Sequence, residues 1–240
     1  MTKLLETEAL QAFYGDFQAL FGIDVTVEEG ETVALIGANG AGKSTFLRAI
    51  TGMISSSGTK LEFDGESIAG WAADRIHKAG IAMVPEGRRL FPSLSVEENL
   101  LIGASGSRKG EWTLERVYDL FPDLVSKRMN PGQALSGGQQ QMVAIGRALM
   151  SNPRLLVCDE ISLGLAPKII KDIYTAVPRI RETGSSILIV EQDVGQALSV
   201  ADRVHCFMEG RITLTGTPNE ISRAQIADAY FGATHNGEAA

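Results

Sequence analysis

One stretch of the sequence combines three patterns that few folds accommodate in succession: a buried strand, a glycine-rich loop and an amphipathic helix. Residues 33–36 (VALI) are an unbroken apolar run, which is typical of a strand buried on both faces of a parallel sheet. Residues 37–45 read GANGAGKST, and apolar residues then recur at helical spacing from Phe46 to Ile54, with Gly52 near the expected end. The stretch therefore predicts a strand, a tight loop and a helix within an α/β fold.

The loop fits the pattern G-x-x-x-x-G-K-[ST], whose fixed positions are Gly37, Gly42, Lys43 and Ser44. Small residues allow a tight turn with inward-pointing backbone N–H groups, and the following helix adds unpaired donors and the positive end of its dipole. We expect Lys43 to contact the β- and γ-phosphates of a nucleoside triphosphate, and the Ser44 hydroxyl to bind the Mg²⁺ that bridges them. The other loop residues expected to surround the phosphates are Asn39, Gly40, Ala41 and Thr45.

Composition indicates an ordinary globular chain. Of 240 residues, 44% are hydrophobic and 21% are charged, which argues against a disordered protein. The net charge is −7 without any block of Lys or Arg, so the sequence lacks the basic footprint of a nucleic-acid-binding protein. The apolar runs are shorter than the roughly 18 residues of a membrane-spanning helix, and residues 1–10 lack the apolar core of a signal peptide. We expect a soluble chain in which Cys158 and Cys206 are buried free thiols.

The distribution of strand patterns predicts how the chain is organised. Alternating residues at 4–14 and 23–28, followed by a short strand near residue 62, predict an N-terminal antiparallel layer with 4–14 at its edge. Further buried strands are predicted at 81–84, 155–158 and 187–190, which, with the strand at 33–36, suit a mostly parallel sheet. Residues 85–134 contain no comparable apolar run, so we expect an inserted α-helical subdomain there. The core then consists of 1–84 and 135–231.

The last part of the chain carries turn and cap signals. Glu209 and Gly210 separate two short strand patterns and predict a tight turn. Thr217, Pro218 and Glu220 have the spacing of a helix N-terminus, so a final helix is expected from there to about Tyr230. Residues 232–240 are expected to form a flexible tail, within what we interpret as a single domain of residues 1–240.

Acidic residues follow the second buried strand and indicate a chemistry for the site. In open parallel sheets, ligands bind outside the carboxyl ends of the strands, and Asp159 lies at such an end. We expect Asp159 to hold Mg²⁺ and Glu160 to polarise the water that attacks the γ-phosphate. A strand that merely ends in two acidic residues is the alternative, and the independent phosphate loop argues against it.

Residues 135–139 read LSGGQ and precede a helical pattern. Ser136 and Gln139 have capping-box spacing, so the two glycines would lie where a helix begins and its N–H groups are exposed. With this segment the chain resembles the nucleotide-binding subunit of ABC transporters over nearly its whole length. The order of phosphate loop, helical insertion, signature segment and acidic strand end is also that family's order.

The resemblance implies a P-loop NTPase (RecA-like) core of α/β class with a mostly parallel sheet, an N-terminal antiparallel β layer and the inserted α-helical subdomain. In that family two cassettes pair head to tail and bind ATP between the phosphate loop of one and the signature of the other. This implies that Ser136, Gly137, Gly138 and Gln139 contact ATP bound by a second ATPase subunit. It also implies that Tyr14 stacks on adenine, although an aromatic residue taken alone more often serves core or surface packing.

Three positions depart from the broad family pattern. Glu86 stands where most members have glutamine, Gln192 where most have histidine, and Ile161 where proline is usual. Glu86 can still bind Mg²⁺ through oxygen, but it adds negative charge near the phosphates. Gln192 can donate a hydrogen bond to the γ-phosphate but cannot gain charge, so we expect catalysis to survive with an altered pH dependence.

The same departures narrow the resemblance to one group of subunits within the ABC transporter family. Residues 85–92 (PEGRRLFP), 162–167 (SLGLAP) and 190–192 (VEQ) are similar to the shorter ATPase subunit of branched-chain amino acid importers, whose relatives serve urea and short amides. This implies a second ATPase subunit, two membrane permeases and, indirectly, a periplasmic solute-binding protein. It also implies a peripheral position at the cytoplasmic face of the plasma membrane, with Gly87 to Phe91 near the permeases.

Two other interpretations remain open from the sequence. A non-transport ABC ATPase of chromosome organisation or translation would carry a long coiled coil or two cassettes in one chain, and the sequence shows neither. A P-loop kinase for a small metabolite would leave the LSGGQ segment unexplained. Partner permeases would support transport, whereas stoichiometric phosphorylation of a metabolite would support the kinase.

Overall fold

Two β-sheets organise the fold in a computed structural model that describes residues 2–106 and 108–231. The strands of this described part are β1 (Lys3–Tyr14), β2 (Phe17–Glu28), β3 (Thr32–Gly37), β4 (Ser56–Ser57), β5 (Lys60–Phe63), β6 (Glu66–Ser67), β7 (Ile81–Val84), β8 (Leu155–Asp159), β9 (Ser186–Glu191), β10 (Arg203–Met208) and β11 (Arg211–Gly216). Its helices are α1 (Lys43–Ile50), α2 (Ala73–Ala79), α3 (Val96–Gly103), α4 (Leu114–Leu120), α5 (Gly137–Leu149), α6 (Pro167–Arg181), α7 (Val194–Val200) and α8 (Arg223–Phe231).

The larger sheet has the strand order β11-β10-β3-β9-β8-β7. Its neighbouring strands are parallel except for the β10–β11 hairpin, so the predicted mostly parallel sheet is confirmed. Every residue of β3, β8 and β9 is buried, as their apolar runs predict. Because β3, β9 and β8 are parallel neighbours, the loops that follow them emerge at the same edge.

The smaller sheet is the antiparallel layer, with the order β2-β1-β5-β6 and β4 also paired to β1. The expectation that residues 4–14 form an edge strand is wrong, because β1 pairs with β2 on one side and with β4 and β5 on the other. Alternation shows which face of a strand is buried, but it does not show how many neighbours the strand has. The layer packs against α1 and the larger sheet in one apolar cluster that includes Leu20, Phe46 and Phe207.

Residues 85–134 contain α3, α4 and two short 3₁₀ turns, Pro122–Lys127 and Gly132–Ala134. The predicted capping box at the start of α3 is present, since Ser95 Oγ accepts from the Glu98 N–H at 3.1 Å and Glu98 Oε2 accepts from the Ser95 N–H at 2.7 Å. This segment packs on α5 in a second apolar cluster, which includes Leu100, Val117 and Leu149. Among the described helices, none is long and apolar enough to cross a membrane.

Two helix boundaries differ from the prediction, and one helix was not predicted. Helix α1 ends at Ile50, and Gly52 follows with φ 69°, so Ile54 lies beyond it. Helix α7 was not predicted, although Val194, Ala197 and Leu198 have helical spacing and pack in one apolar cluster. Asp193 caps it by accepting from the Gln196 N–H at 3.0 Å.

The predicted start of the last helix is wrong. Thr217 and Glu220 do interact, but they close a turn, and α8 begins after a second box formed by Ser222 and Gln225. Both boxes have the same spacing, and burial of Ile226 beneath β10 accompanies the second. The predicted tail, 232–240, lies outside the described residues.

Candidate functional site

The phosphate-loop motif lies between β3 and α1, where the sequence predicts it. Gly42 has φ 105°, and a Cβ placed there would lie 3.0 Å from Leu20 Cδ2 and 3.2 Å from Gly210 Cα. A side chain at this position would therefore strain the backbone and crowd two other elements. Of the other loop residues, Asn39 and Gly40 are exposed and Ala41 is buried. The loop thus presents backbone to solvent at its tip and is packed at its base.

Lys43 begins α1 and reaches back over the loop. Its Nζ donates to the carbonyl oxygens of Gly37 at 2.6 Å and Ala38 at 3.0 Å, and the side chain is only 4% exposed. Burial lowers the pKa of the Lys43 ammonium, whereas the carboxylates of Glu160, Asp159 and Glu191 oppose that shift. A buried cation is therefore held at the mouth of the loop by two carbonyl groups, which a phosphate group could replace as its partners.

Ser44 and Asp159 meet across the interface between α1 and β8. The Ser44 hydroxyl donates to Asp159 Oδ1 at 3.0 Å. Burial raises the pKa of Asp159; the Ser44 hydrogen bond lowers it, and the nearby charges of Glu160 and Glu86 raise it further. The structure thus places two of the predicted metal ligands, Ser44 and Asp159, in contact, and the exposed Glu86 is near enough for its charge to raise the pKa of Asp159.

Glu160 and Gln192 follow adjacent parallel strands and meet side chain to side chain. Gln192 Nε2 donates to Glu160 Oε2 at 2.6 Å, and the Glu160 N–H donates to the Val190 carbonyl at 3.0 Å. Glu160 has φ 49°, a left-handed conformation that is uncommon outside glycine, asparagine and aspartate. Such a conformation persists only where the surroundings hold it, and it is concentrated at functional sites.

Glu191 is a site residue that the sequence analysis did not single out. Its carboxylate is 2% exposed and accepts hydrogen bonds from Tyr174 and Ser162. Burial raises the pKa of Glu191, and these hydrogen bonds oppose the shift. The available signal was a charged residue at the end of the otherwise apolar run 187–190 (ILIV).

Tyr14 ends β1 beside the first turns of α1. Its hydroxyl oxygen lies 3.5 Å from Thr45 Oγ1 and accepts from Arg48 Nη1 at 3.2 Å. The ring is partly exposed, so one part of it is available to a ligand while the hydroxyl is anchored. The structure therefore brings Tyr14 to the phosphate-loop helix, as the sequence analysis requires.

The signature segment forms the N-terminus of α5. Ser136 Oγ accepts from the Gln139 N–H at 3.3 Å and Gln139 Oε1 accepts from the Ser136 N–H at 3.0 Å, which is the predicted capping box. Gly138 faces Ile169 of α6, and a Cβ there would overlap that side chain. Within the described residues, no hydrogen bond joins 136–139 to 37–45, so the structure does not bring the two motifs together in one chain.

Comparison with known proteins agrees with this arrangement. The family model described as ABC transporter matches residues 20–162. The "High-affinity branched-chain amino acid transport ATP-binding protein BraG" of Pseudomonas aeruginosa strain PAO1 is 42% identical over 95% of this chain and 100% of its own length. The "Probable branched-chain amino acid transport ATP-binding protein LivF" of Archaeoglobus fulgidus is 33% identical over 91% of this chain and 94% of its own length.

A solved structure extends the similarity to the fold. The ADP conformation of MJ1267, an ATP-binding cassette of an ABC transporter, superposes with a TM-score of 0.80 at 29% identity and covers 95% of this chain and 94% of that one. The predicted core of α/β P-loop NTPase class is thereby confirmed. The chain therefore belongs to the ABC transporter family, as one of its ATP-hydrolysing subunits.

Proposed function

We propose that ATP hydrolysis by this chain powers the import of branched-chain amino acids or of a related small polar solute, such as urea or a short amide. The contact between Glu160 and Gln192, together with the Ser44–Asp159 pair, is the observation that supports ATP hydrolysis. The solute class rests on the full-length similarity to the Pseudomonas protein, which is named for branched-chain amino acid transport. Sequence features of residues 85–92, 162–167 and 190–192 support the same class.

Each site residue has a role that its position supports. Lys43 would neutralise charge on the β- and γ-phosphates, in place of its bonds to the loop carbonyl groups. Glu160 would accept a proton from the attacking water. A primary amide carries two N–H donors, so Gln192 could hold Glu160 with one and contact the γ-phosphate with the other.

The residues around Asp159 fit Mg²⁺. Within the described residues, no group of three or more His, Cys, Asp or Glu side chains could hold a metal ion by itself. Mg²⁺ normally uses one or two carboxylates together with phosphate oxygens and water, which matches Ser44, Asp159 and Glu86. Burial is the main cause of the raised pKa of Asp159 and the charges of Glu160 and Glu86 add to it, so a divalent cation would offset negative charge at this place. When bound with ATP, the ion would supply charge neutralisation between the phosphates.

The signature segment supports a reaction centre that two cassettes share. Helix α5 begins at Gly137, and its cap, Ser136, is exposed. The exposed N-terminus of a helix favours phosphate, and here it does not contact the phosphate loop of its own chain. We therefore assign Ser136, Gly137, Gly138 and Gln139 to ATP bound by a second ATPase subunit, either identical or a paralogue.

The surface of residues 85–134 supports docking to two membrane permeases. Phe91, Leu101 and Met129 are 47%, 47% and 70% exposed in this segment, which we propose is an α-helical subdomain. Asn99 fixes the loop at Phe91 by accepting from the Phe91 N–H at 2.9 Å and donating to its carbonyl at 3.1 Å. Exposed apolar side chains on a fixed loop are typical of an interaction surface. This docking would place the chain at the cytoplasmic face of the membrane.

Purification of the chain from membranes with its partners tests the proposal. We expect two permeases and a second ATPase subunit to co-purify, and a cognate periplasmic solute-binding protein to raise ATP turnover in vesicles when it is loaded with leucine. Loading that protein with urea or acetamide identifies the other solute classes. Purification of the chain from membranes without any permease would contradict transport, and phosphorylation of a metabolite in proportion to ATP used would indicate a kinase.

A further inference from the structure

The buried carboxylate of Glu191 accepts three hydrogen bonds. Tyr174 donates its hydroxyl to Oε1 at 2.7 Å, and Ser162 donates its hydroxyl to Oε2 at 2.7 Å. The Ser162 N–H also donates to Oε1, at 3.3 Å. Three donors on two oxygens suit an ionised carboxylate, which only accepts. Charge-assisted bonds of this length are stronger than those between neutral groups.

Glu191 and the Ser162 that it holds flank the proposed reaction centre. Ser162 lies two residues after Glu160, and Glu191 lies immediately before Gln192. The same segments are also joined by the bond from the Glu160 N–H to the Val190 carbonyl and by the Gln192–Glu160 bond. Glu191 is thus a second side chain, besides Gln192, through which the end of β9 holds the segment after β8.

The segment after β8 has to be held because the backbone of Glu160 is left-handed, with φ 49°. A non-glycine residue in this conformation is strained and relaxes unless its neighbours fix it. Ile161 is buried on one side, but the residues from Leu163 to Gly164 are exposed and provide little support. The bonds from Ser162 to Glu191 lie between these two regions.

Tyr174 connects the Glu191 carboxylate to helix α6. It lies on α6, is buried among the apolar residues of the second cluster and has a raised pKa, because burial and the Glu191 charge both disfavour its ionised form. The Glu191 carboxylate is therefore fixed relative to α6 as well as to β9. A carboxylate bound to both elements cannot follow a movement of the loop at Ser162 without losing a bond.

We propose that Glu191 is a positioning residue for ATP hydrolysis. Through Ser162 it fixes the backbone that presents Glu160, and so keeps the Glu160 carboxylate within reach of Gln192 and of the attacking water. The inference rests on the proposed role of Glu160. It assigns no contact between Glu191 and ATP, so it predicts an effect on turnover that is separate from ATP binding.

Steady-state hydrolysis by the full chain in its membrane complex tests the proposal with Ser162→Ala and Glu191→Gln. We expect kcat to fall about tenfold in each variant while KM for ATP changes by less than about twofold, since only the transition-state geometry is affected. Ser162→Thr keeps the hydroxyl and should restore most of the activity. In the double variant the losses should not multiply, because both substitutions remove the same interaction.

Matched controls separate this effect from a general loss of packing. Ser199 donates only to the Gln196 carbonyl within α7, so Ser199→Ala should leave kcat unchanged. Tyr118 donates to Glu97 in residues 85–134, as Tyr174 does to Glu191. Tyr174→Phe should lower kcat several-fold, on the order of the value of one hydrogen bond to a charged group, whereas Tyr118→Phe should not. Thermal unfolding and ATP binding confirm that each variant is folded.

Normal kcat in both Ser162→Ala and Glu191→Gln would overturn the proposal, as would a failure of Ser162→Thr to restore activity. A rise in KM with unchanged kcat would show that Glu191 serves ATP binding instead, and would also overturn it. If Glu160→Gln itself retained normal turnover, the assignment of Glu160 would fail, and that result is distinguishable because it does not involve Glu191 or Ser162.

Discussion

The Gln192 amide donates to Glu160 Oε2 at 2.6 Å, across the ends of two adjacent parallel strands. The contact gives the position after β9 a defined partner, and that partner is the proposed general base. Because an amide cannot be protonated in the physiological range, the charge of this pair depends on Glu160 alone. This distinguishes the site from one with histidine at position 192, whose imidazole titrates near pH 6.5.

Replacement of Gln192 by histidine should therefore introduce a pH dependence. As pH falls through the pKa of the imidazole, its cation would pair with Glu160 and weaken that carboxylate as a base. We expect the ratio of variant to parent kcat to decline below about pH 6.5 and to be constant above it. Turnover measured from pH 5.5 to 8.5 checks this, and a ratio independent of pH would contradict the role of the Glu160–Gln192 contact.

Replacement of Glu160 by glutamine should retain ATP binding and remove steady-state hydrolysis. The amide keeps the shape and the contact with Gln192 but cannot accept a proton, so we expect kcat to fall by about 10²–10⁴. Titration with ATP and a turnover assay separate the two properties. Glu182→Gln, at an exposed position near the end of α6, is the matched control, and near-normal turnover by Glu160→Gln would remove its proposed role.

Replacement of Lys43 by alanine should abolish tight binding of the triphosphate. The ammonium is buried at the loop, so its removal takes away a charge that water does not screen. We expect the affinity for ATP to fall at least about 100-fold, with a smaller change for adenosine, which carries no phosphate. Equilibrium titration of both ligands checks this, with Lys171→Ala on the exposed face of α6 as control. Unchanged ATP affinity would argue against the phosphate loop.

Replacement of Glu86 by glutamine should tighten the binding of free ATP but weaken the binding of Mg²⁺. Loss of a negative charge near the phosphates should tighten binding of free ATP, whereas loss of a carboxylate ligand should raise the Mg²⁺ concentration required for turnover. The charge of Glu86 also raises the pKa of Asp159, so its removal should shift the acid limb of Mg²⁺-dependent binding to lower pH. Glu66→Gln is the control. Identical Mg²⁺ curves would exclude Glu86 as a ligand.

Replacement of Ser136 by alanine should lower both stability and turnover. Loss of the cap should reduce the free energy of unfolding by about 1 kcal/mol. Turnover should fall further than stability explains, because the same N-terminus is proposed to contact ATP on a second cassette, while ATP binding to one chain should not change. Ser222→Ala removes a capping box of the same type at α8, and an equal loss of turnover there would show that capping alone is responsible.

Local features of the fold were predictable because they depend on neighbouring residues. The strand, loop and helix from Thr32 to Ile50 follow from apolar runs and glycine, and both capping boxes at Ser95 and Ser136 follow from their spacing. Errors arose where two local signals were equivalent, as at Thr217 and Ser222, or where the pattern does not report neighbours, as for β1. In each case a packing interaction between distant residues decided the outcome.

The sequence by itself determined that the chain has a phosphate loop, an acidic strand end and an LSGGQ helix start, because each motif lies within one short stretch. Only the tertiary structure decided that Glu160 meets Gln192 and that Glu191 holds Ser162, because those pairs form where β8 and β9 become neighbours. Strand order depends on how apolar faces bury one another across the whole chain, and no local pattern encodes it. Contacts at the edge of the sheet are a consequence of that order.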